Sequence, residues 1–558
     1  MLLDTVHPSG KLKPGSYEEF LEQFSVTVPE NFNFAYDFLD AEAAQDPTRP
    51  AMVHVDDAGN RRDLDLAFFS NESSRLAEGL AKRGIGPGDT VLIMLYRRVE
   101  WWITVLALHK LGAAAIPGPH LLTPKDIEFR VECAKAKAII CEDGLAAKAD
   151  EARPNSPSLS LLVSVGEAEP PAGWTRYDDV RADGTDDFVY TRPDGRRPGG
   201  SDLLYIFFTS GTTGMPKMVT HTHTYPLGHL TTGMYWHDLR PGDLHLTLSD
   251  TGWGKSVWGK FYGQLLAGAC IFTWDFRGKF TPDALLEILA AHKITSFCAP
   301  PTVYRFLVRE EVTSYDLSSL RHCTTAGELL NSSVFESWKL STGMDIYEGY
   351  GQTETCLQLV TFPFMEPKPG SIGKPAPGWD IVLLDDNCDP CPPGVEGEIC
   401  IRLGEGRNLG LFTGYLNEPE KTATVVHDGF YHTGDKAWAD EDGYYWFMGR
   451  NDDLIKSSGY RIGPFEVETA LVSHPAVVEA AVTGVPDPVR GQAVKATLVL
   501  AQGYEPSEEL TKDIQDHVKK VTAPYKYPRV VDYVDELPKT ISGKIKRAEI
   551  RERDEQAG

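Results

Sequence analysis

The chain has 558 residues, 42% of them hydrophobic and 24% charged, with a formal net charge of −25. That length exceeds one hydrophobic core and implies two or more domains, while the apolar content excludes global disorder. The acidic balance argues against nonspecific binding to nucleic acid or anionic membrane, and no run approaches the roughly 18 apolar residues of a membrane span.

The first twenty residues hold Lys11 and Lys13 but neither a signal-length apolar stretch nor an Arg-rich amphipathic pattern, so no targeting segment is read and a cytoplasmic location is expected. Phe34 to Ala138 reads as alternating helix and strand. Asp89 to Leu95 is a predicted strand, Glu100 to Leu111 a helix stopped by Gly112, and Ala113 to Pro117 a second strand. Together they form a βαβ unit on a parallel sheet. Lys137 to Glu142 is a further strand, and Asp178 to Ser201, rich in Asp, Gly, Arg and Pro, is a surface connection.

Leu203 to Phe208 is a continuous apolar run, as expected for a strand buried on both faces. It leads into Thr209-Ser-Gly-Thr-Thr-Gly-Met-Pro-Lys217. Gly211 and Gly214 let the backbone approach a ligand, Thr209, Ser210, Thr212 and Thr213 supply hydroxyls, and Lys217 supplies a cation. This is a cradle for a polyphosphate. It is not a Walker A loop, because Lys217 follows Pro216 and no Ser or Thr comes after it.

Beyond the loop, Leu244 to Leu248, Cys270 to Trp274, Thr295 to Ala299 and His322 to Thr325 are predicted strands, with helices near Ser256 to Leu266, Pro282 to His292 and Ser333 to Thr342. Asp380 to Asp385 and Gly397 to Arg402 alternate about a turn that contains Cys388-Asp-Pro-Cys391. That pair lacks a second pair with zinc spacing and is read as a turn. The other cysteines, among them Cys133, Cys141, Cys270, Cys298 and Cys400, are scattered in apolar contexts, as in a reducing compartment. From Asp453 onward short hairpins alternate with a few helices, including Phe465 to Ser473 and Glu508 to Val521. Lys519 to Arg553 holds ten Lys/Arg against five Asp/Glu, the basic part of an acidic protein.

The string from Tyr205 to Lys217 closely resembles the core motif of the acyl-adenylate-forming enzymes, which include acyl-CoA synthetases, aryl-CoA ligases, firefly luciferase and the adenylation domains of nonribosomal peptide synthetases. Ser249-Asp-Thr-Gly-Trp253, Tyr350-Gly-Gln-Thr-Glu354, Ser457-Ser-Gly-Tyr-Arg-Ile-Gly-Pro464 and Val521-Thr-Ala-Pro-Tyr-Lys-Tyr-Pro-Arg529 extend the resemblance. It runs from about Phe34 to Arg551 and is nearest to the medium-chain acyl-CoA synthetase group.

The resemblance implies an α/β and α+β multidomain fold: a large N-terminal domain, residues 1–451, with βαβ sheets and a β-rich subdomain, and a small mobile α+β domain, residues 452–558, hinged near Asp452. It implies ATP, CoA and Mg²⁺ as the small molecules used with a carboxylic acid. ATP or AMP would be held by Thr209 to Gly214, Lys217, Glu348, Gly349, Tyr350, Gly351, Gln352, Thr353, Asp435 and Arg450. Glu354 would hold Mg²⁺. Lys544 would bridge carboxylate and α-phosphate during adenylation, and Gly459 would let the pantetheine arm pass in the second step. Coenzyme A would contact Ser458, Gly459, Tyr460, Arg490, Tyr527 and Arg529.

The acyl pocket would be walled by Trp253, Gly254, Lys255, Trp258, Cys298, Ala326, Gly327 and Gly351, with Arg461 near the adenylate. In acetate-specific relatives a Trp stands where Gly351 stands here, so the acid expected is a short-to-medium monocarboxylate, with branched and aryl acids among the candidates, rather than acetate. Lys255 is unusual, since a charge in an acyl tunnel must be paired or snorkelled. It would shorten the tunnel, meet a polar substrate or point away. Acetylation of Lys544 by an acetyltransferase, reversed by a deacetylase, would switch off the first step. The rival readings are a carboxylate-activating enzyme serving another acceptor and a non-catalytic nucleotide-binding member. An amino-acid-activating module is disfavoured, because Gly254 stands where those modules place an acidic residue.

Overall fold

The computed structural model describes residues 5–7, 12–209, 216–278, 280–404, 408–450, 453–458, 460–539 and 545–557. The predicted βαβ unit is present: Thr90–Met94 and Ala114–Pro117 pair in parallel across the helix Val99–Leu111. Nearly every residue of that helix is buried, and Gly112 ends it at φ +69°, a left-handed conformation that costs glycine least. These strands belong to a seven-stranded sheet in the order Thr175–Arg176, Leu161–Val165, Ala138–Glu142, Thr90–Met94, Ala114–Pro117, Leu203–Thr209 and Lys217–Thr222. Only the last pair is antiparallel. The hairpin of Leu203–Thr209 and Lys217–Thr222 therefore closes one edge of the sheet.

A nine-stranded sheet runs Lys374–Pro375, Leu357–Val360, Ile346–Gly351, His322–Ala326, Ser296–Ala299, Leu244–Thr247, Cys270–Asp275, Pro50–Asp56 and Arg61–Asp65, parallel in the middle and antiparallel at both edges. The expected β-rich segment is an antiparallel sheet of Ile381–Leu384, Gly397–Arg402, Phe430–Ala439, Val426–His427 and Tyr445–Arg450. The C-terminal part has its own sheet of Tyr460–Ile462, Ile455–Ser457, Gly491–Leu500, Val477–Asp487 and Val530–Tyr533. Ile455, Val467, Leu471, Val482, Ile514 and Val518 form a separate core beneath it. The result is a large α/β domain with mixed sheets followed by a small α+β domain. Phe447 packs edge-on against Phe465, and Asn331 Nδ2 donates to the Thr469 carbonyl at 3.1 Å, so the two parts touch.

Two expectations are corrected. The helix read over Ser256 to Leu266 is two short ones, Gly254–Gly259 and Tyr262–Leu266. The Gln264 side chain takes the Phe261 N–H and donates to the Gly259 carbonyl, satisfying the backbone at the break. The connection read from Asp178 overlaps a helix, Tyr177–Ala182, whose Tyr177 and Val180 are buried against Leu66–Lys82. Gly79 permits that contact, because a Cβ there would lie 1.8 Å from the Val180 carbonyl oxygen. Cys388-Asp-Pro-Cys391 is a turn as expected, with the Cys388 N–H on the Asp385 carbonyl and both thiols unoxidised.

Candidate active site

Parallel strands collect ligands outside their carboxyl ends. Here Thr247, Ala299, Ala326 and Gly351 stand at such ends. Asp435 approaches from the neighbouring antiparallel sheet. Its turn is fixed by Gly434 at φ +73°, whose N–H donates 2.8 Å to Glu398, and by the Thr433 hydroxyl on the Ile399 carbonyl at 2.7 Å. Only 4% of Asp435 is exposed. The Tyr350 hydroxyl and Gln352 Nε2 both donate to its Oδ2, at 2.6 and 2.7 Å, while Arg450 Nε lies 3.6 Å from Oδ1. Gln352 is itself held by the Tyr431 hydroxyl on its Oε1 at 2.7 Å and by its own bond to the Thr433 carbonyl at 2.9 Å. Burial, with Asp435 beside it, pushes the Tyr350 phenol well up, so it remains a donor at neutral pH.

An aromatic path, Tyr431 to Phe412 to Tyr415, leads from Asp435 to Glu354. The Tyr415 hydroxyl donates to Glu354 Oε1 at 2.9 Å, and Lys217 Nζ donates to the same hydroxyl at 3.5 Å. Thr209 pairs with Lys217 across the hairpin. The His221 ring donates from Nε2 to the Thr353 carbonyl at 2.7 Å, which fixes the backbone beside Thr353. Ser210, Gly211, Thr212, Thr213 and Gly214 lie outside the described residues.

Within the Tyr350 motif the structure separates residues that the sequence joined. Glu348 is buried and its carboxyl accepts the Leu330 N–H at 3.1 Å, away from Asp435. Desolvation pushes its pKa up to about 8. Any nucleotide contact from Glu348 would come through its backbone. Gly349 packs under Trp236, where a Cβ would lie 3.0 Å from the indole. At Gly351 a Cβ would lie 2.5 Å from the Cys356 carbonyl oxygen, so this glycine serves a tight turn as well as an open pocket.

On the acyl side, Trp253 caps the helix that carries Gly254, Lys255 and Trp258. Lys255 is half-buried. Its Nζ donates to the Ala326 carbonyl at 3.1 Å and lies 5.4 Å from the Trp258 ring centroid. Its charge is felt by His237 and Cys298, whose pKa values burial pushes down and up respectively. Cys298 and Ala326 are buried, and Gly327 turns the chain at φ +101°. These residues are gathered at one end of the nine-stranded sheet.

The residues expected to meet coenzyme A fall in two patches. Ser458, at φ +51°, donates its N–H to the Arg490 carbonyl at 2.9 Å, and Arg490 pairs with Asp487. Tyr460 stacks on Tyr525 at 4.1 Å. Separately, Arg529 and Lys519 flank the Tyr527 ring at 4.6 and 4.3 Å. Gly459, Lys544, Asp452 and the Arg461 side chain lie outside the described residues. Arg547, three residues beyond Lys544, is ion-paired with Glu468 and feels the charge of Glu328, the neighbour of Gly327. Sequence reading missed Tyr415, Tyr431 and His221, none of which stands in a motif distinctive enough to single it out.

The model of the AMP-binding enzyme family matches residues 39–416, and that of the AMP-binding enzyme C-terminal domain matches residues 466–544. The human mitochondrial acyl-coenzyme A synthetase ACSM3 is 44% identical over 550 residues, 97% of this chain and 92% of the relative. Human mitochondrial ACSM5 is 43% identical over 536 residues, 94% and 91% of the two chains. Among solved structures, the anthranilate CoA ligase AuaEII in complex with anthranoyl-AMP superposes with a TM-score of 0.86 at 30% identity, covering 95% of this chain and 98% of the other. The two human synthetases are mitochondrial, which overturns the cytoplasmic expectation. That expectation rested on reading no targeting segment in the first twenty residues, and the scattered cysteines fit any reducing compartment without separating cytosol from mitochondrial matrix.

Proposed function

This chain belongs to the AMP-binding enzyme family and is an ATP-dependent acyl-CoA synthetase, and from that premise we propose which residues carry each step and which acids it takes. In the first step a carboxylate oxygen attacks the α-phosphorus of ATP, the bond to the β-phosphate bridging oxygen breaks, and pyrophosphate leaves. In the second the CoA sulfur attacks the acyl carbon and AMP leaves. Neither step needs covalent help from the protein; both need positioning and charge.

The observation that carries the assignment is the clamp on Asp435. Two donors, from Tyr350 and Gln352, hold one buried carboxylate, with the Arg450 guanidinium 3.6 Å away. A carboxylate so held accepts both ribose hydroxyls. Lys217 and the hydroxyls of Thr209 to Thr213 take the β- and γ-phosphates, and Thr353 takes the α-phosphate. Lys544 neutralises the charge that develops in the first step. After a swing about Asp452, the division between residues 1–451 and 452–558, Gly459 and its neighbours Ser458 and Tyr460 admit the pantetheine arm, with Arg490, Tyr527 and Arg529 at the nucleotide end of CoA.

Mg²⁺ suits the donor set at Glu354, a single hard carboxylate beside the phosphate loop, because this ion binds through one or two carboxylates plus substrate phosphates. When bound it would offset phosphate charge; the chain's own part is to hold that carboxylate still. The acid proposed is a short-to-medium, linear, branched or aryl monocarboxylate, with Arg461 near the adenylate. An aryl acid is also the substrate named for AuaEII. Acetylation of Lys544 would erase its charge and stop the first step, and mass spectrometry of the purified native protein tests it.

A panel of acetate, butyrate, 2-methyl acids, hexanoate and benzoate, assayed for pyrophosphate and for AMP with and without CoA, tests the whole reading. The expected pattern is CoA-dependent turnover greatest for an acid larger than acetate. Acetate outperforming all the others would overturn the substrate class, and no pyrophosphate with any acid would overturn the residue assignments.

A further inference from the structure

Lys217 and Glu354 carry opposite charges on the same side of the site, yet among the described residues they form no direct ion pair. Tyr415 stands between them. Its hydroxyl donates to Glu354 Oε1 at 2.9 Å and accepts from Lys217 Nζ at 3.5 Å, and Nζ lies 5.0 Å from the ring centroid. The residue is 5% exposed and its ring packs on Phe412 at 5.1 Å. Its backbone is laid along the strand that Lys217 begins. Thr413 N–H donates to the Thr220 carbonyl at 2.8 Å, Leu416 N–H to the Met218 carbonyl at 2.9 Å, and Tyr415 forms a bridge with Val219. The Phe412 N–H donates to the Glu354 carbonyl at 2.7 Å, and the Tyr415 N–H to Thr422 Oγ1 at 2.9 Å. The segment 412–416 thus ties the strand of the cation to the turn of the anion.

We propose that Tyr415 is a positioning residue, a neutral spacer that keeps the Lys217 ammonium and the Glu354 carboxylate from closing on one another and aims one carboxylate oxygen at the metal that accompanies ATP. The inference rests on the reading of Glu354 as the Mg²⁺ residue. Remove the hydroxyl, and a flexible lysine stem brings its ammonium onto the carboxylate, which quenches both for nucleotide and metal. The acyl pocket around Lys255, Trp258, Cys298 and Ala326 is built without Tyr415, so the KM for the carboxylic acid would not sense the loss.

The experiment is calorimetric titration of ATP into the full chain over a series of Mg²⁺ concentrations, with Tyr415→Phe, Glu354→Gln and the double variant alongside wild type. Tyr415→Phe is expected to raise the half-saturating Mg²⁺ by about tenfold, as for loss of one hydrogen bond to a charged group. The KM for the carboxylic acid and the thermal midpoint are expected to stay put. In the Glu354→Gln background, Tyr415→Phe is expected to add no further shift. Unchanged half-saturating Mg²⁺ in Tyr415→Phe, or a full additional shift in the double variant, overturns the proposal. Should Tyr415→Phe not fold, Tyr415→His restores a ring with an N–H donor, and a shift held to about threefold supports the spacer where a tenfold shift overturns it. If Glu354→Gln itself leaves the Mg²⁺ dependence unchanged, the metal reading has failed; if Glu354→Gln shifts it and Tyr415→Phe does not, only the spacer has.

Discussion

The Tyr350 hydroxyl donates a 2.6 Å hydrogen bond to Oδ2 of Asp435 across 85 residues of chain, joining the nine-stranded sheet to the antiparallel one at the place where a ribose is expected. Hydrogen bonds to charged groups contribute about 1.5–3 kcal/mol. Tyr350→Phe is therefore expected to raise the KM for ATP roughly 10- to 100-fold, with little change in the KM for CoA. Steady-state kinetics with each substrate varied in turn checks this, and an equal rise for both substrates would count against a ribose clamp.

Glu348 gives the fold a pH dependence of known sign. Its carboxyl titrates near 8 when folded against 4.5 as a free side chain, because burial disfavours the anion. The folded chain keeps the proton through that window while the unfolded chain has released it, so stability falls as pH rises from 4.5 to 8 and is lowest above 8. The loss is of the order of 2–5 kcal/mol for a fully buried group. Glu348→Gln cannot ionise, and its thermal midpoint is expected to fall less than that of wild type between pH 5 and pH 8.5. Parallel curves for the two proteins would refute the assignment.

Gly351 links the turn to the acyl pocket. A Cβ there meets the Cys356 carbonyl oxygen at 2.5 Å, and overpacking of this kind costs typically 1–3 kcal/mol. Gly351→Trp is accordingly expected to depress activity with every acid in the panel, acetate included. A variant that turned over acetate faster than wild type would show that the turn yields and that the glycine acts only by leaving room.

Lys255 holds its ammonium on the Ala326 carbonyl and over Trp258. Lys255→Met keeps the stem volume and removes the charge, so the relative kcat/KM for longer apolar acids is expected to rise about 10-fold, near the 1–3 kcal/mol that one methylene commands in an apolar pocket. An unchanged chain-length profile would place Lys255 outside the tunnel.

Lys544→Ala is expected to abolish pyrophosphate release from ATP and acid while leaving thioester formation from supplied acyl adenylate near the wild-type rate. Separate assays of the two half-reactions decide it. Equal loss in both would end the case for two segments of the small domain working in turn over one adenylate.

The amino-acid sequence alone determined the elements and the chemistry they could support. Runs such as Leu203 to Phe208 are apolar throughout and were bound to become strands buried on both faces, while Gly112 stops a helix wherever the chain is folded. The grouping of hydroxyls and glycines before Lys217 and the motif at Tyr350 point to a nucleotide site, because they depend on neighbours within a few residues. What the tertiary structure decided depends on partners far apart in the chain. It divided the helix at Lys260, turned Glu348 into the core although it sits two residues from Tyr350, and made Gly351 a steric necessity of its turn. It also put Tyr415 between Lys217 and Glu354, across separations of 198 and 61 residues. Local pattern sets which backbone shape a segment prefers, but burial and hydrogen bonding set what each side chain meets, and those are properties of the packed chain.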